Sequence, residues 1–281
     1  MKLIATALRP EAEPFISKLK LKRDLNVHSH EVFRNEDTAL IVTGIGAVRS
    51  AIGTTLILER YGSPSSLIMN IGVAAGPETS PCGSMYSIHS ISSFTTSYSS
   101  FSTSYYPEMV VQTHIPEAAL ITVENPVSEC PNDWPSNTLS DMEGIGFCQA
   151  AFTFCNPERI LVLKVISDHF SPRSLSRESI RGAILANVDS ALSILQSLHE
   201  VDRAYSSSPL PAQEENYLHL LAESLKLTTA QRAQLFKHAI RKWALEPKEY
   251  HQLRDLVVLP PANSQQRRQS FQQVLDVLSP S

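Results

Sequence analysis

The segment Arg159-Ile-Leu-Val-Leu-Lys-Val-Ile166 is almost uniformly apolar and ends in Ser167-Asp168. Such a run predicts a strand covered on both faces, as in a parallel sheet flanked by helices. The C-terminal lip of such a strand is where open α/β sheets bind ligands, so Asp168 is a candidate functional carboxylate. Upstream, Asp141-Met142-Glu143 stands at the start of a predicted helix. Strand and helix then deliver acids to one sheet edge.

The rest of the first two hundred residues alternates in the same manner. Strands are predicted over Leu3–Leu8, Val27–Asn35, Thr38–Thr43, Ser66–Ile71, Met85–Ile91, Leu120–Val123 and Ile160–Ile166. Helices are predicted over Pro10–Leu19, Val48–Tyr61, Met142–Phe154 and Ile180–Val201. This alternation argues for an α/β fold with a mostly parallel sheet sandwiched by helices. Gly44-Ile45-Gly46 and Gly72–Gly76 read as turns where backbone could approach a small ligand. Between Ser90 and Ser104, eleven of fifteen residues are Ser or Thr. That stretch reads as disorder or as a long loop anchored by its aromatics.

The organisation expected is an α/β domain over residues 1–201, a linker over 202–212 and a helical tail over 213–281. The tail helices are Glu214–Leu225, Thr229–Leu245 and Ser264–Leu278, with Leu235, Ala239, Ile240 and Trp243 as an apolar stripe. A net charge of −4 gives no general attraction to nucleic acid or to an anionic membrane. The four cysteines lack CxxC spacing, so no zinc site is expected. No cofactor and no metal are called for. Met1–Leu8 reads as a buried strand and not as a leader, and no run reaches membrane-spanning length. A cytoplasmic setting is the expectation.

Glu11 follows the first strand, so three acids, Glu11, Glu143 and Asp168, fall at strand or helix termini of one edge. Glu13 competes with Glu11 for that place. The chain order is strand-Glu, strand-GIG-helix, strand-GVAAG, DMEG-helix and strand-ISD. In this order the chain resembles the nucleoside phosphorylase and nucleosidase superfamily, especially the methylthioadenosine/adenosylhomocysteine nucleosidases. The resemblance covers about residues 1–200. It is anchored at Ala7–Glu11, Thr43–Ile57, Asn70–Gly76, Asp141–Phe147 and Lys164–Asp168. The tail has no counterpart in those nucleosidases.

The resemblance implies a three-layer α/β/α fold with a mixed central sheet, a C-terminal helical appendage and cleavage of a purine N-ribosyl bond. Asp168 would protonate or hydrogen-bond the purine N7, with Ser167 orienting it. Glu143 would accept hydrogen bonds from ribose hydroxyls, with Met142 against the sugar face and Val73-Ala74 lining the sugar pocket. Glu11 would position and deprotonate water. Val127 stands where those nucleosidases carry a base-stacking phenylalanine, and Trp134 is the candidate substitute. Water is preferred over phosphate as nucleophile, because Asn70–Gly76 carries no basic residue. Arg9 and Arg49 are the candidates on which a phosphorylase would depend. The expected partners are a small nucleoside and a second copy of the chain. A non-catalytic nucleoside sensor with a partner-binding tail is the remaining alternative.

Overall fold

Successive strand residues face opposite sides, and in β1 (Lys2–Thr6) both sides are apolar: Leu3 and Ala5 pack in one cluster, Ile4 in another. β10 (Ile160–Asp168) divides likewise, Val162 and Ile166 against Leu161, Leu163 and Val165. The first cluster takes in Ile57 and Leu58 of α2 (Ala47–Tyr61) and Phe147, Cys148 and Ala151 of α3 (Gly144–Phe154). The second takes in Ala12 and Phe15 of α1 (Arg9–Lys18) and Ile184, Val188, Ala191 and Leu195 of α4 (Arg177–Ser206). The computed structural model describes all residues except 64–65, 96–99, 109–110, 112, 133, 136, 172–174, 207–209, 246–260, 262 and 279–281.

The remaining strands are β2 (Lys22–Arg23), β3 (Glu31–Arg34), β4 (Thr38–Val42), β5 (Leu67–Ala75), β6 (Met85–Thr95), β7 (Ser100–Tyr105), β8 (Glu117–Thr122) and β9 (Thr138–Asp141). All ten join one sheet, and the sheet is mixed. β1 pairs in parallel with β4 and β5, as do β5 with β10, β6 with β8 and β8 with β9. The other pairings are antiparallel: β2–β3, β3–β4, β6–β7, β6–β10 and β5–β9. The mostly parallel sheet read from element alternation is thereby corrected.

Two features of the pairing shape the molecule. First, β5, β10, β6, β8 and β9 pair in a closed circuit, each with the next and β9 back to β5. Second, β5 is forked. β10 runs along one edge of it from Ile68 to Ala75. On the other edge β1 pairs only with Leu67–Asn70, and β9 only at Ala75. Gly72–Gly76 is therefore not a turn: ladder pairing with Lys164–Ile166 carries β5 straight through Gly72, Val73 and Ala74.

The described parts of the Ser/Thr-rich segment, on either side of residues 96–99, are strand. β6 and β7 form an antiparallel ladder with Ile91 opposite Tyr105 and Thr95 opposite Ser100. Hydroxyl and aromatic residues are compatible with a pleated surface. β9 is a further strand not anticipated, and α3 starts at Gly144, two residues later than the predicted helix.

The contacts divide the chain into two compact units, Met1–Arg203 and Ala204–Ser281. α4 continues to Ser206, into the stretch read as linker. In the second unit, α5 (Ala212–Ser224), α6 (Thr229–Leu245) and α7 (Ser264–Leu278) share one apolar cluster. Leu218, Ala222, Leu225, Leu235, Ala239 and Val274 are its most buried members, with Ile240 and Trp243 packed against the cluster.

α2 and α3 approach so closely that a Cβ at Gly146 would overlap the Ala47 carbonyl group. Gly146→Ala is expected to lower the free energy of unfolding by about 1–3 kcal/mol in a urea titration. Gly182, inside α4 with nothing within 4 Å of its Cβ position, is the control. Gly182→Ala should raise stability by about 0.5–1 kcal/mol through helix propensity alone.

Candidate active site

The fork in β5 leaves backbone donors beyond Asn70 without a strand partner on that edge, and Glu11 supplies the acceptor. Its Oε1 accepts the Val73 N–H at 2.9 Å. Its Oε2 accepts the N–H groups of Ala7 at 2.9 Å and Leu8 at 2.8 Å, where β1 turns into α1. The bond to Leu8 is also half of a capping box, a third-position Glu reaching back to the helix N-cap. A carboxylate has about four acceptor sites. Three are occupied, and the side chain lines a cavity. Gly72 makes this possible: a Cβ there would meet Glu11 Oε1 at 2.8 Å.

Glu143 occupies the N-cap position of α3 but does not cap it. Asp141 and Thr122 do. Asp141 Oδ2 accepts the Gly144 N–H at 2.9 Å, and Thr122 Oγ1 accepts the Ile145 N–H at 2.9 Å. Glu143 is thus released from its own helix and accepts the Gly46 N–H at 2.8 Å instead. Gly46 holds φ at +101°, so the Gly44-Ile45-Gly46 motif serves to aim a backbone donor at Glu143. Ile45 lines the cavity beside it.

Asp168 closes β10 after a register shift between Ile166 and Asp168. Neighbouring residues of a regular strand face opposite ways; a bulge lifts that restriction. Ser167 and Asp168 accordingly both line the cavity. Ser167 Oγ lies 2.8 Å from Asp168 Oδ2 and 3.2 Å from the Ala74 carbonyl oxygen. Asp168 Oδ1 accepts the Ser171 N–H at 2.7 Å, which holds the carboxyl plane from the far side.

One cavity of about 150 Å³ is therefore lined by Glu11, Val73, Ala74, Val127, Met142, Glu143, Ser167 and Asp168, every site residue named from the sequence. This enclosed volume is below the ~300–1,000 Å³ of ordinary ligand pockets, so a larger ligand would extend into the mouth. Val123, Val127 and Met142 make one apolar wall. Trp134 is not part of the lining. It is buried behind that wall, edge-on to Phe170 with centroids 6.2 Å apart. Glu13 is half-exposed and paired with Arg9 and Arg181, which leaves Glu11 alone at the cavity. His169 reaches the Gly76 carbonyl oxygen at 3.1 Å and lies outside the lining; His89 is exposed.

Lys164 had no role assigned from the sequence. Its ammonium lies 2.8 Å from Asp141 Oδ2, with both side chains almost wholly buried. A lone lysine within an apolar strand run was the signal, since lysine is almost never fully buried unless paired.

Burial sets the electrostatics. It raises the Glu11 pKa above 4.5, against the opposing pull of the backbone donors and Lys164. It raises Glu143 to about 7, aided by the charge of Asp141 and opposed by Lys164. Burial by itself would depress Lys164, but the attraction of Asp141, Glu143 and Glu11 outweighs it and the pKa rises. A base whose pKa lies near the working pH is the efficient one. Among the described residues no group of His, Cys, Asp and Glu has the arrangement of a metal site, and no helix is long and apolar enough to cross a membrane.

No protein-family model and no curated protein matches the chain. Solved structures do. The 5′-methylthioadenosine/S-adenosylhomocysteine nucleosidase of S. pneumoniae, with the transition-state inhibitor MT-ImmA, superposes with a TM-score of 0.58 at 18% identity, covering 70% of this chain and 100% of that one. The corresponding nucleosidase of Colwellia psychrerythraea, in complex with adenine, gives 0.58 at 16% identity, covering 70% and 95%. A Helicobacter pylori variant with one aspartate changed to asparagine, holding 5′-methylthioadenosine in its active site, gives 0.53 at 14% identity, covering 70% and 98%. The fold is shared with these nucleosidases.

The raised Glu143 pKa has a measurable consequence. The folded state retains a proton that the unfolded chain releases near 4.5, so stability falls as pH rises from there to about 7. Glu143→Gln removes that loss while keeping an acceptor for Gly46. Its melting temperature relative to the parent should rise between about pH 5 and about pH 8. A difference that stays flat across this range would refute the assignment.

Proposed function

We propose that the chain hydrolyses the N-ribosyl bond of a purine nucleoside, releasing the free base and a ribose derivative. The observation that carries this reading is the division of three buried carboxylates around one cavity. Asp168, steadied on one oxygen by the Ser171 N–H and on the other by Ser167, is the group to protonate the leaving base. Glu143, joined to backbone among the described residues only at Gly46, keeps acceptor capacity for sugar hydroxyls, with Met142 beside it. Glu11 is fixed by three N–H donors and raised in pKa, which suits a base that orients and deprotonates water. Positive charge developing on the ribose would face these anions, as in glycoside hydrolysis generally.

Water as nucleophile is supported by the lining, which contains no arginine or lysine among its described residues. Arg9 is taken up by Glu13 and Glu31 and lies over the Phe33 ring at 4.4 Å. Arg49 is exposed at the start of α2. The nucleosides and adenine held by the structural neighbours support a 5′-substituted adenine nucleoside as the substrate class. The two apolar clusters on opposite sides of the sheet support a three-layer arrangement, with the three tail helices as an appendage. A homodimer goes with the reading; the exposed Ile45, which lines the cavity, and the exposed Val48 and Ile52 of α2 support it.

The direct test is release of free base from a nucleoside panel with and without phosphate. Release independent of phosphate is expected; strict dependence would make the enzyme a phosphorylase. Asp168→Asn should keep the circular dichroism and melting temperature of the parent but lose about 10²–10⁴ in base release. Retained activity in that variant would remove Asp168 from the role of acid. Gly72→Ala should push the Glu11 carboxylate off its three donors and cost about 10²-fold in kcat/KM.

A further inference from the structure

Lys164 is buried to 1% exposure, and the chemistry proposed above gives it no task. Its partner is held from several directions. Asp141 Oδ2 takes the ammonium at 2.8 Å and the Gly144 N–H at 2.9 Å. Asp141 Oδ1 accepts the Thr122 hydroxyl at 2.8 Å, and Thr122 Oγ1 accepts the Ile145 N–H. The ion pair is thereby anchored to the first turn of α3, the turn that Glu143 precedes. Buried pairs of this kind are poor stabilisers, because desolvation offsets much of the attraction and apolar replacements often fold as well. What an apolar replacement could not supply is a fixed positive charge behind a cluster of acids.

We propose that Lys164 is a positioning residue for Glu143: fixed by Asp141 at the root of α3, its ammonium favours the ionised form of the Glu143 carboxylate, the form that accepts hydrogen bonds from sugar hydroxyls. The sugar-binding half rests on the nucleosidase reading, and the electrostatic half does not. Glu143 is faced by Asp141 from β9 and by Glu11 from α1, and shares the cavity with Asp168 at the end of β10; Cys148 of α3 is buried beside Asp141 and Lys164. Arg49 stands exposed at the start of α2, with its side chain against Gly44. Lys164 is the one buried cation in this company. Asp141 and Glu11 work against ionisation of Glu143, and Lys164 works for it.

The two members of the pair therefore act on Glu143 in opposite senses, which separates this role from a merely structural one. The measurement is the titration midpoint of the Glu143 side-chain carboxyl carbon by NMR, assigned through its loss in Glu143→Gln. Lys164→Met should move the midpoint up by about one pH unit or more. Asp141→Asn should move it down by a similar amount, and Lys164→Arg should restore the parent value. If the pair only holds the fold together, breaking it from either side admits water, and both variants move the midpoint down. A downward or absent shift in Lys164→Met overturns the proposal.

Should Lys164→Met not fold, the double variant Lys164→Met/Asp141→Asn removes both charges of the buried pair together, so that neither is left without its partner. Its midpoint should lie above that of Asp141→Asn alone; equal midpoints overturn the proposal. In the base-release assay, Lys164→Met should raise KM near neutral pH more than it lowers kcat. That KM should return toward the parent value as pH increases, and a KM defect independent of pH counts against the sugar-binding half. Absence of turnover in the parent overturns the nucleosidase reading, while the titration judges the electrostatic role independently.

Discussion

The carboxylate of Glu11 in the fork of β5 is the contact on which the site depends. β1 and β9 leave the same edge of β5 at different points, and the backbone between them has lost its ladder partner. A buried N–H without an acceptor costs about as much as a lost hydrogen bond. Glu11 meets that demand at Val73 and, with its other oxygen, closes the turn from β1 into α1. The side chain that meets this structural need also lines the cavity. The same contact explains why Gly72 has no side chain and why Glu13, one helical step away, cannot substitute.

Around that contact the chain buries four acids, Glu11, Asp141, Glu143 and Asp168, with one lysine among them. Such an arrangement is unfavourable for folding, and burial is the first cause of the raised pKa values of Glu11 and Glu143. The acids are not equivalent. Asp141 is committed to capping α3 and to Lys164, whereas Glu143, two residues on, is held by a single backbone donor. The two acids of a single triplet thus divide into one that braces the helix start and one held loosely at the cavity.

Much of this was legible in the amino-acid order. Apolar runs marked the strands, and acids directly after them marked the ligand edge, because strand ends and helix starts are local features. Asp168 and Glu143 could be placed for that reason, and the residues named for the site, Trp134 apart, line the same cavity. Pairing between distant segments was not legible. Gly72–Ala75 is made of small residues that read as a turn, and only the ladder with β10 makes it strand. The β6–β7 hairpin was hidden because Ser and Thr carry no apolar alternation. The partner of Lys164 lies on another strand, and no spacing along the chain announces it. Trp134 shows the converse error: an aromatic side chain was assigned to the lining when the wall in front of it is Val123, Val127 and Met142.

The closed circuit of strands bears on how the molecule comes into being. Its decisive seam joins Ile68–Ala75 to Ile160–Asp168, with Ile160 opposite Ile68, 92 positions away in the chain. Closing so long a loop must precede the contacts that reward it, which makes the seam a slow step with a high contact order. During synthesis the N-terminal strands can pair early, yet Asp168 and Lys164 emerge long after Glu11. No shorter nascent chain holds the full set of acids or the cation among them. The cavity with its full set of acids is therefore complete only once the last strand of the circuit lies beside β5.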